Sequence, residues 1–249
     1  MTTQNVNDSN EPRDPVAAPT PAPTTTHPPT LAEDLLLLLF LPKSGTIAGE
    51  NTLFYALGGA VLSELALAGR VEATDAKPTG TVIRAVGDDA PADPLIRPAW
   101  EYTTREPRSA QAIIAAVGPN LREPTIQRLV DRGDLVERTA KTLGIFSTTE
   151  LAEGDTGRRA ELISAVRDAL VGGGATEPRL AALCGLVFGS GMMPQLDPDI
   201  PWRSDTYRIA EAHLKGDWGA GAAAQAVANT IAAGVINSLL AAGVFPARP

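Results

Sequence analysis

Arg122, Arg128, Arg132, Arg138 and Lys141 fall within a short stretch that ends in the apolar residues Leu143, Ile145 and Phe146. Cations beside an apolar edge suit an anionic membrane surface. Each positive charge near such a surface contributes about 1 kcal/mol, and inserted apolar side chains add a hydrophobic term. The same stretch contains Glu123, Asp131, Asp134 and Glu137, so the charges alone favour a solvated helix face with its counter-acids. The whole chain has a formal net charge of −8, which repels nucleic acid and anionic lipid alike. A phosphate-bearing partner must therefore be met by a local patch.

Other chemistry lacks its residues. The two histidines, His27 and His213, lie far apart in the sequence, one in a polar tail and one alone on an amphipathic segment, so neither a Ser/His/Asp triad nor a histidine metal site is expected. Cys184 is the single cysteine; it can form no intrachain disulfide and is expected as a small buried apolar group. Gly189-Ser190-Gly191 lacks the spacing of a nucleophile elbow and reads as a helix end. Neither a P-loop nor a dinucleotide fingerprint occurs. Asp88, Asp89 and Asp93 stand among Gly, Ala and Pro, the chemistry of turns as well as of Mg²⁺ ligands. Glu64 is the one acid in an apolar segment; a structural partner such as Arg70 or a helix N-terminus is expected for it ahead of a catalytic role.

The elements that would position these groups are mostly helical. Residues 1–30 hold seven prolines among Thr, Ala, Asn and Asp, too little apolar surface to offset the entropy of ordering, and read as a disordered tail without a signal peptide. Thr30 and Glu33 have capping-box spacing ahead of the run 35–41, which is apolar on every side and thus a buried helix. A second buried helix spans 53–68 and ends at Gly69; its Gly58, Gly59 and Ala60 would let a neighbour approach closely. A β-hairpin is expected from 70–73 and 81–86, helices over 109–117 and 124–132, and a second hairpin over 135–146 turning at 140–142. Further helices fit 157–171, 178–188, 206–215 and 220–243. The last has no charged residue over 220–244, but its Ala-rich, amide-containing composition favours a core helix over a transmembrane one.

Four blocks carry a family likeness: LAEDLLLL from Leu31, GGAVLSELALAGR from Gly58, the Asp93-Pro-Leu segment, and Arg122 through RLVDRG from Arg128 to LGIF ending at Phe146. In these the sequence resembles the Golgi phosphoprotein 3 family, whose eukaryotic members are peripheral Golgi proteins that bind phosphatidylinositol 4-phosphate. The resemblance implies a mainly helical fold around a buried hydrophobic helix, a lipid-headgroup pocket, and an apolar hairpin, here 135–146, that serves membrane docking or self-association. In eukaryotic members a Trp and an Arg near the start of the second block, with an Arg-x-x-Arg pair opening the fourth, bind the phosphate. Residues 46–58 of this chain contain neither Trp nor Arg, and Pro119-Asn120-Leu121-Arg122 retains the second arginine of the pair.

The expectation is thus a mainly α domain over residues 31–249, built around a buried apolar helix with short β-hairpins, behind a disordered tail of residues 1–30. Its expected role is a non-catalytic, cytoplasmic protein peripheral to the inner face of a membrane. Arg122, Arg128 and Arg132 would meet an anionic, phosphoinositide-like headgroup, and Lys141, Leu143, Ile145 and Phe146 would dock on the membrane or on a second copy of the chain. No cofactor, metal or nucleic acid is expected. Two alternatives rest on the same residues. The order of helix, Gly133 and hairpin is that of a winged-helix nucleic-acid binder, and the apolar strand could equally serve an oligomerisation module without lipid.

Overall fold

The computed structural model describes residues 27–76, 80–142, 146–172 and 177–215, together with Ile231 and Val235. Helix α1 (Leu31–Leu39) starts from the capping box expected for it. The Thr30 hydroxyl accepts from the Glu33 backbone N–H, and the Glu33 carboxylate accepts from the Thr30 N–H at 2.9 Å. Because its leucines point in all directions, α1 must be enclosed, and every one of its residues is buried. It stops two residues earlier than expected. Phe40 is extended, and β1 (Phe40–Leu41) folds back on β2 (Thr46–Ile47) through Gly45, at φ +66°.

A short 3₁₀ turn (Glu50–Thr52) leads into α2 (Leu53–Leu67), which Gly69 closes in the left-handed conformation at φ +65°. The small residues of α2 act as anticipated. A Cβ on Gly58 would stand 3.1 Å from the Cα of Ile114, and one on Gly59 would stand 2.9 Å from Val235. Strands β3 (Val71–Ala76) and β4 (Gly80–Ala85) pair antiparallel; their connection at 77–79 lies outside the described residues.

Helix α3 (Arg97–Arg105) was not anticipated: Pro98 in its first turn reads as a breaker, and its buried face holds only Ala99, Trp100 and Thr103. Proline is acceptable there because first-turn N–H groups have no intrahelical acceptor. Helix α4 (Ala110–Val117), capped by Ser109, and α5 (Arg122–Arg132), closed by Gly133 at φ +82°, match the expected pair.

The second hairpin is longer than expected. Strand β5 (Leu135–Thr142) runs straight through the anticipated turn at 140–142, and β6 (Phe146–Glu153) returns over residues that had no assignment. Eight register pairs, from Leu135↔Glu153 to Thr142↔Phe146, hold the two strands. The threonines at 139, 142, 148 and 149 explain the extension, because β-branched residues favour strands. Among the described residues this sheet has two strands only.

Helices α6 (Arg158–Gly172), α7 (Pro178–Gly189) and α8 (Ser204–Leu214) complete the described architecture, which is mainly α with two-stranded ribbons. Ser190 caps α7 at the expected helix end, and Cys184 on α7 is fully buried. The expected helix at 220–243 lies outside the described residues except for Ile231 and Val235, which are helical and buried. Among the described residues no helix is long and apolar enough to cross a membrane.

Candidate functional site

The arginines of α5 separate by helical position. Thr125, Ile126 and Leu129 form its buried face, and Arg128 and Arg132, one turn apart, flank that face and turn inward toward the start of α1. Arg122, in the first turn, stays 42% exposed and pairs with Glu50 and, at 3.5 Å, with Glu123. The structure therefore joins Arg128 to Arg132 and leaves Arg122 apart.

What Arg128 and Arg132 meet is a continuous belt of ion pairs. Arg128 forks onto both carboxylate oxygens of Asp93, one bond being 2.9 Å, and stands 3.6 Å from Glu33. Glu33, fully buried, accepts from Arg132 at 2.9 Å while it holds the Thr30 cap. Arg132 lies 3.7 Å from Asp134, which is also bound by Arg158 and by the Thr156 hydroxyl. Arg158 continues to Asp34, and Asp34 to Arg179 at 2.9 Å. Arg179 ends the belt on Glu64 at 2.8 Å. Five carboxylates against four guanidiniums leave one negative charge, which favours the N-terminal end of α1.

Glu64 has the structural role expected of it. Its carboxylate accepts the Leu31 backbone N–H at 2.7 Å, a free donor at the N-terminus of α1, and takes Arg179 as counter-ion. Arg70 is not its partner; that guanidinium instead bonds the Asp89 carbonyl and lies over the Trp100 ring. Asp93 likewise shapes its loop, accepting the Leu95 N–H at 2.8 Å.

Arg128 and Arg132, expected to face a lipid headgroup, have as partners the half-buried Asp93 and the buried Glu33. Sequence spacing put all three arginines on one helix, but it carried no information on which acids of a distant helix would claim two of them. Arg158 and Arg179 were not singled out, although a signal existed. Each lies in the first turn of its helix, where a cation opposes the dipole, so a carboxylate from elsewhere must compensate it. On the ribbon, Arg138 is exposed and opposite Glu150 in register. The backbone of Lys141 and Phe146 is described but not their side chains, and Leu143 and Ile145 lie outside the described residues.

The belt sets the sign of the acid response. Burial alone would raise the carboxyls of Glu33 and Asp93. The Thr30 N–H and Arg132 for the former, and Arg128 and the Leu95 N–H for the latter, outweigh burial and hold both below their usual ranges. Their stabilisation is complete above the unfolded values, about 4.3 for Glu and 3.9 for Asp, and is lost as pH falls through the lower folded values. The urea midpoint should therefore drop on acidification below about pH 4. In Asp93→Asn the pH profile should be flatter, and an unchanged slope would refute Asp93 as a contributor.

This geometry defines a class: a mainly helical domain in which an enclosed apolar helix is ringed by ion pairs and a two-stranded ribbon extends from the base of α5. The family model for Golgi phosphoprotein 3 (GPP34) matches residues 31–230, and the chain belongs to that family. No curated protein matches the chain.

Proposed function

We propose that this chain is a non-catalytic peripheral membrane protein that docks on anionic lipid through the tip of the β5–β6 ribbon, with Arg122 as an accessory cation. The ribbon carries the reading. Its strands pair only with each other among the described residues, and Glu137 and Arg138 on one strand and Thr149 and Glu150 on the other are exposed. Residues 138–149, between those two acids, contain two charged residues, Arg138 and Lys141, both basic, together with Leu143, Ile145 and Phe146. A cationic ribbon ending in large apolar side chains has the composition of a membrane-interface anchor. Family membership supports the same role, since the eukaryotic proteins that the sequence resembles bind phosphatidylinositol 4-phosphate.

Arg128 and Arg132 are positioning residues in this reading. They join the helix that leads into the ribbon to α1, and a headgroup phosphate would have to displace Asp93 or Glu33 to reach them. Among the described residues the acids paired with Arg122, Glu50 and Glu123, are solvent-accessible, so a phosphate can compete for it.

Flotation with phosphatidylcholine vesicles, with and without phosphatidylinositol 4-phosphate, tests the proposal. Retention should require the anionic lipid and fall at high salt. It should disappear when Leu143, Ile145 and Phe146 are all replaced by Ser, and Arg122→Ala should weaken it about fivefold, the equivalent of about 1 kcal/mol. Equal retention on neutral vesicles would refute the reading.

The outer edges of β5 and β6, unpaired among the described residues, favour one second reading, self-association by strand addition. Light scattering of the same triple variant tests it, and an unchanged mass speaks against it. The inward turn of Arg128 and Arg132 toward Asp93 and Glu33 weighs against the winged-helix alternative, which a mobility shift on duplex DNA at low salt tests.

A further inference from the structure

The pairing of Arg122 follows from a close approach of two backbones. Gly118, in the 3₁₀ turn Gly118–Asn120 ahead of α5, lies so near Phe54 that a Cβ there would run into the Phe54 carbonyl oxygen and stand 3.1 Å from its carbon. That contact sets the start of α2 against the start of α5. Glu50, in the 3₁₀ turn that leads into α2, thereby reaches the Nε of Arg122, 72 residues away in sequence. Glu123 stands 3.5 Å from Nη1 of the same guanidinium. Among the described residues no acid takes its Nη2, and neither Glu50 nor Glu123 meets a second cation.

The local charge is therefore one guanidinium against two carboxylates, and the acids are 46% and 83% exposed, open to whatever approaches. An arriving headgroup meets one free edge of a cation and two fixed negative charges. A phosphodiester brings a single negative charge and can share that edge. A phosphomonoester brings about −1.5 to −2 at pH 7. Its repulsion from two carboxylates grows with each unit of charge, while one cation attracts it. Phe54, against Gly118, stacks on Tyr55 with ring centroids 3.9 Å apart, and both stay half-buried. Half-wet aromatic rings suit a lipid interface, which favours a lipid headgroup over free phosphate as the anion.

We propose that Glu50 and Glu123 act as a charge filter at Arg122, so that the lipid this chain prefers carries one phosphodiester charge without an added phosphomonoester. The filter rests on the membrane reading above and names the headgroup class for it. Arg122 attracts either headgroup, and the two acids decide which is held better. Glu50 is the specificity-determining residue of the pair. Its hold on Nε comes from another helix start, fixed by the contact of Gly118 with Phe54, whereas Glu123 is a sequence neighbour at longer range.

The test is flotation of the full chain on phosphatidylcholine vesicles that carry either phosphatidylglycerol or phosphatidylinositol 4-phosphate, the two matched in zeta potential. Matching removes the general attraction of a charged surface. Retention on phosphatidylglycerol should be about threefold higher, the size expected for one extra unit charge near two screened carboxylates. In Glu50→Gln the ratio should fall toward one through a gain on phosphatidylinositol 4-phosphate. Asp88→Asn, which removes an exposed acid of the loop between β4 and α3, should keep it. Equal or higher retention of the unmodified chain on phosphatidylinositol 4-phosphate overturns the filter and leaves membrane docking standing, as does a ratio that Glu50→Gln does not move while its circular dichroism is unchanged. No retention on either vesicle overturns both. Release from phosphatidylglycerol by inorganic phosphate at constant ionic strength assigns Arg122 to a soluble anion and overturns the lipid assignment.

Discussion

Glu33→Ala should lower the free energy of unfolding by about 3–5 kcal/mol, the range for removing one partner of a buried ion pair. The substitution acts at three points. It removes the reciprocal half of the Thr30 capping box, so the Thr30 N–H and hydroxyl lose the acceptor they share. It strips Arg132 of its 2.9 Å partner and Arg128 of its second carboxylate. It also leaves a cavity at a side chain with no solvent exposure. Glu33→Gln should cost less, because the amide oxygen can still accept from Thr30 while the charge is lost. The control is Glu50→Ala, whose partner Arg122 is 42% exposed; exposed pairs contribute about 0–1 kcal/mol. Urea unfolding followed by circular dichroism measures all three. Equal losses for Glu33→Ala and Glu50→Ala would show that the belt is no more than a set of surface pairs.

Gly185→Ala should destabilise the fold by about 1–3 kcal/mol, although alanine is favoured over glycine in a helix by about 1 kcal/mol. Gly185 is on the face of α7 that meets α8. A Cβ there would lie 2.8 Å from the carbonyl carbon and oxygen of His213 and 2.9 Å from the Cα of Leu214. These are backbone atoms, so no rotamer change relieves the clash and the two helices must separate. Gly172, at the exposed end of α6, provides the opposite case. A Cβ there meets nothing within 4 Å, and Gly172→Ala should be neutral or mildly stabilising. Thermal melts of the two variants should shift in different directions or differ clearly in size. If both move alike, helix propensity and not the approach of α7 to α8 decides the effect.

Local chemistry was the most legible part of this chain. Thr30 with Glu33 predicted a capping box and Gly69 a left-handed helix end, and each is observed. These features depend on residues a few positions apart, whose geometry the backbone alone dictates. The enclosed state of α1 was legible for a different reason: a helix with leucine on every face has no face it can leave in water. Elements whose signal is weak over a short range were misread. Helix α3 carries one large apolar residue on its buried face, and the turn assigned to 140–142 lies inside a strand whose pairing depends on residues up to Glu153.

The arginines of α5 show where sequence stops being sufficient. Charge and spacing distinguished Arg122, Arg128 and Arg132 only by their positions on one helix, and all three were expected to face a ligand. The tertiary structure put Arg128 and Arg132 against Asp93 and Glu33, residues 35 and 99 positions away, and left Arg122 at the surface. The reason is physical. A helix pattern dictates which side chains share a face, whereas the charge that face meets depends on the packing of other helices, through contacts that no local spacing encodes. By itself the sequence determined the mainly helical architecture, its caps and its enclosed core helix. Only the tertiary structure decided which cations serve the fold and which remains accessible to a partner.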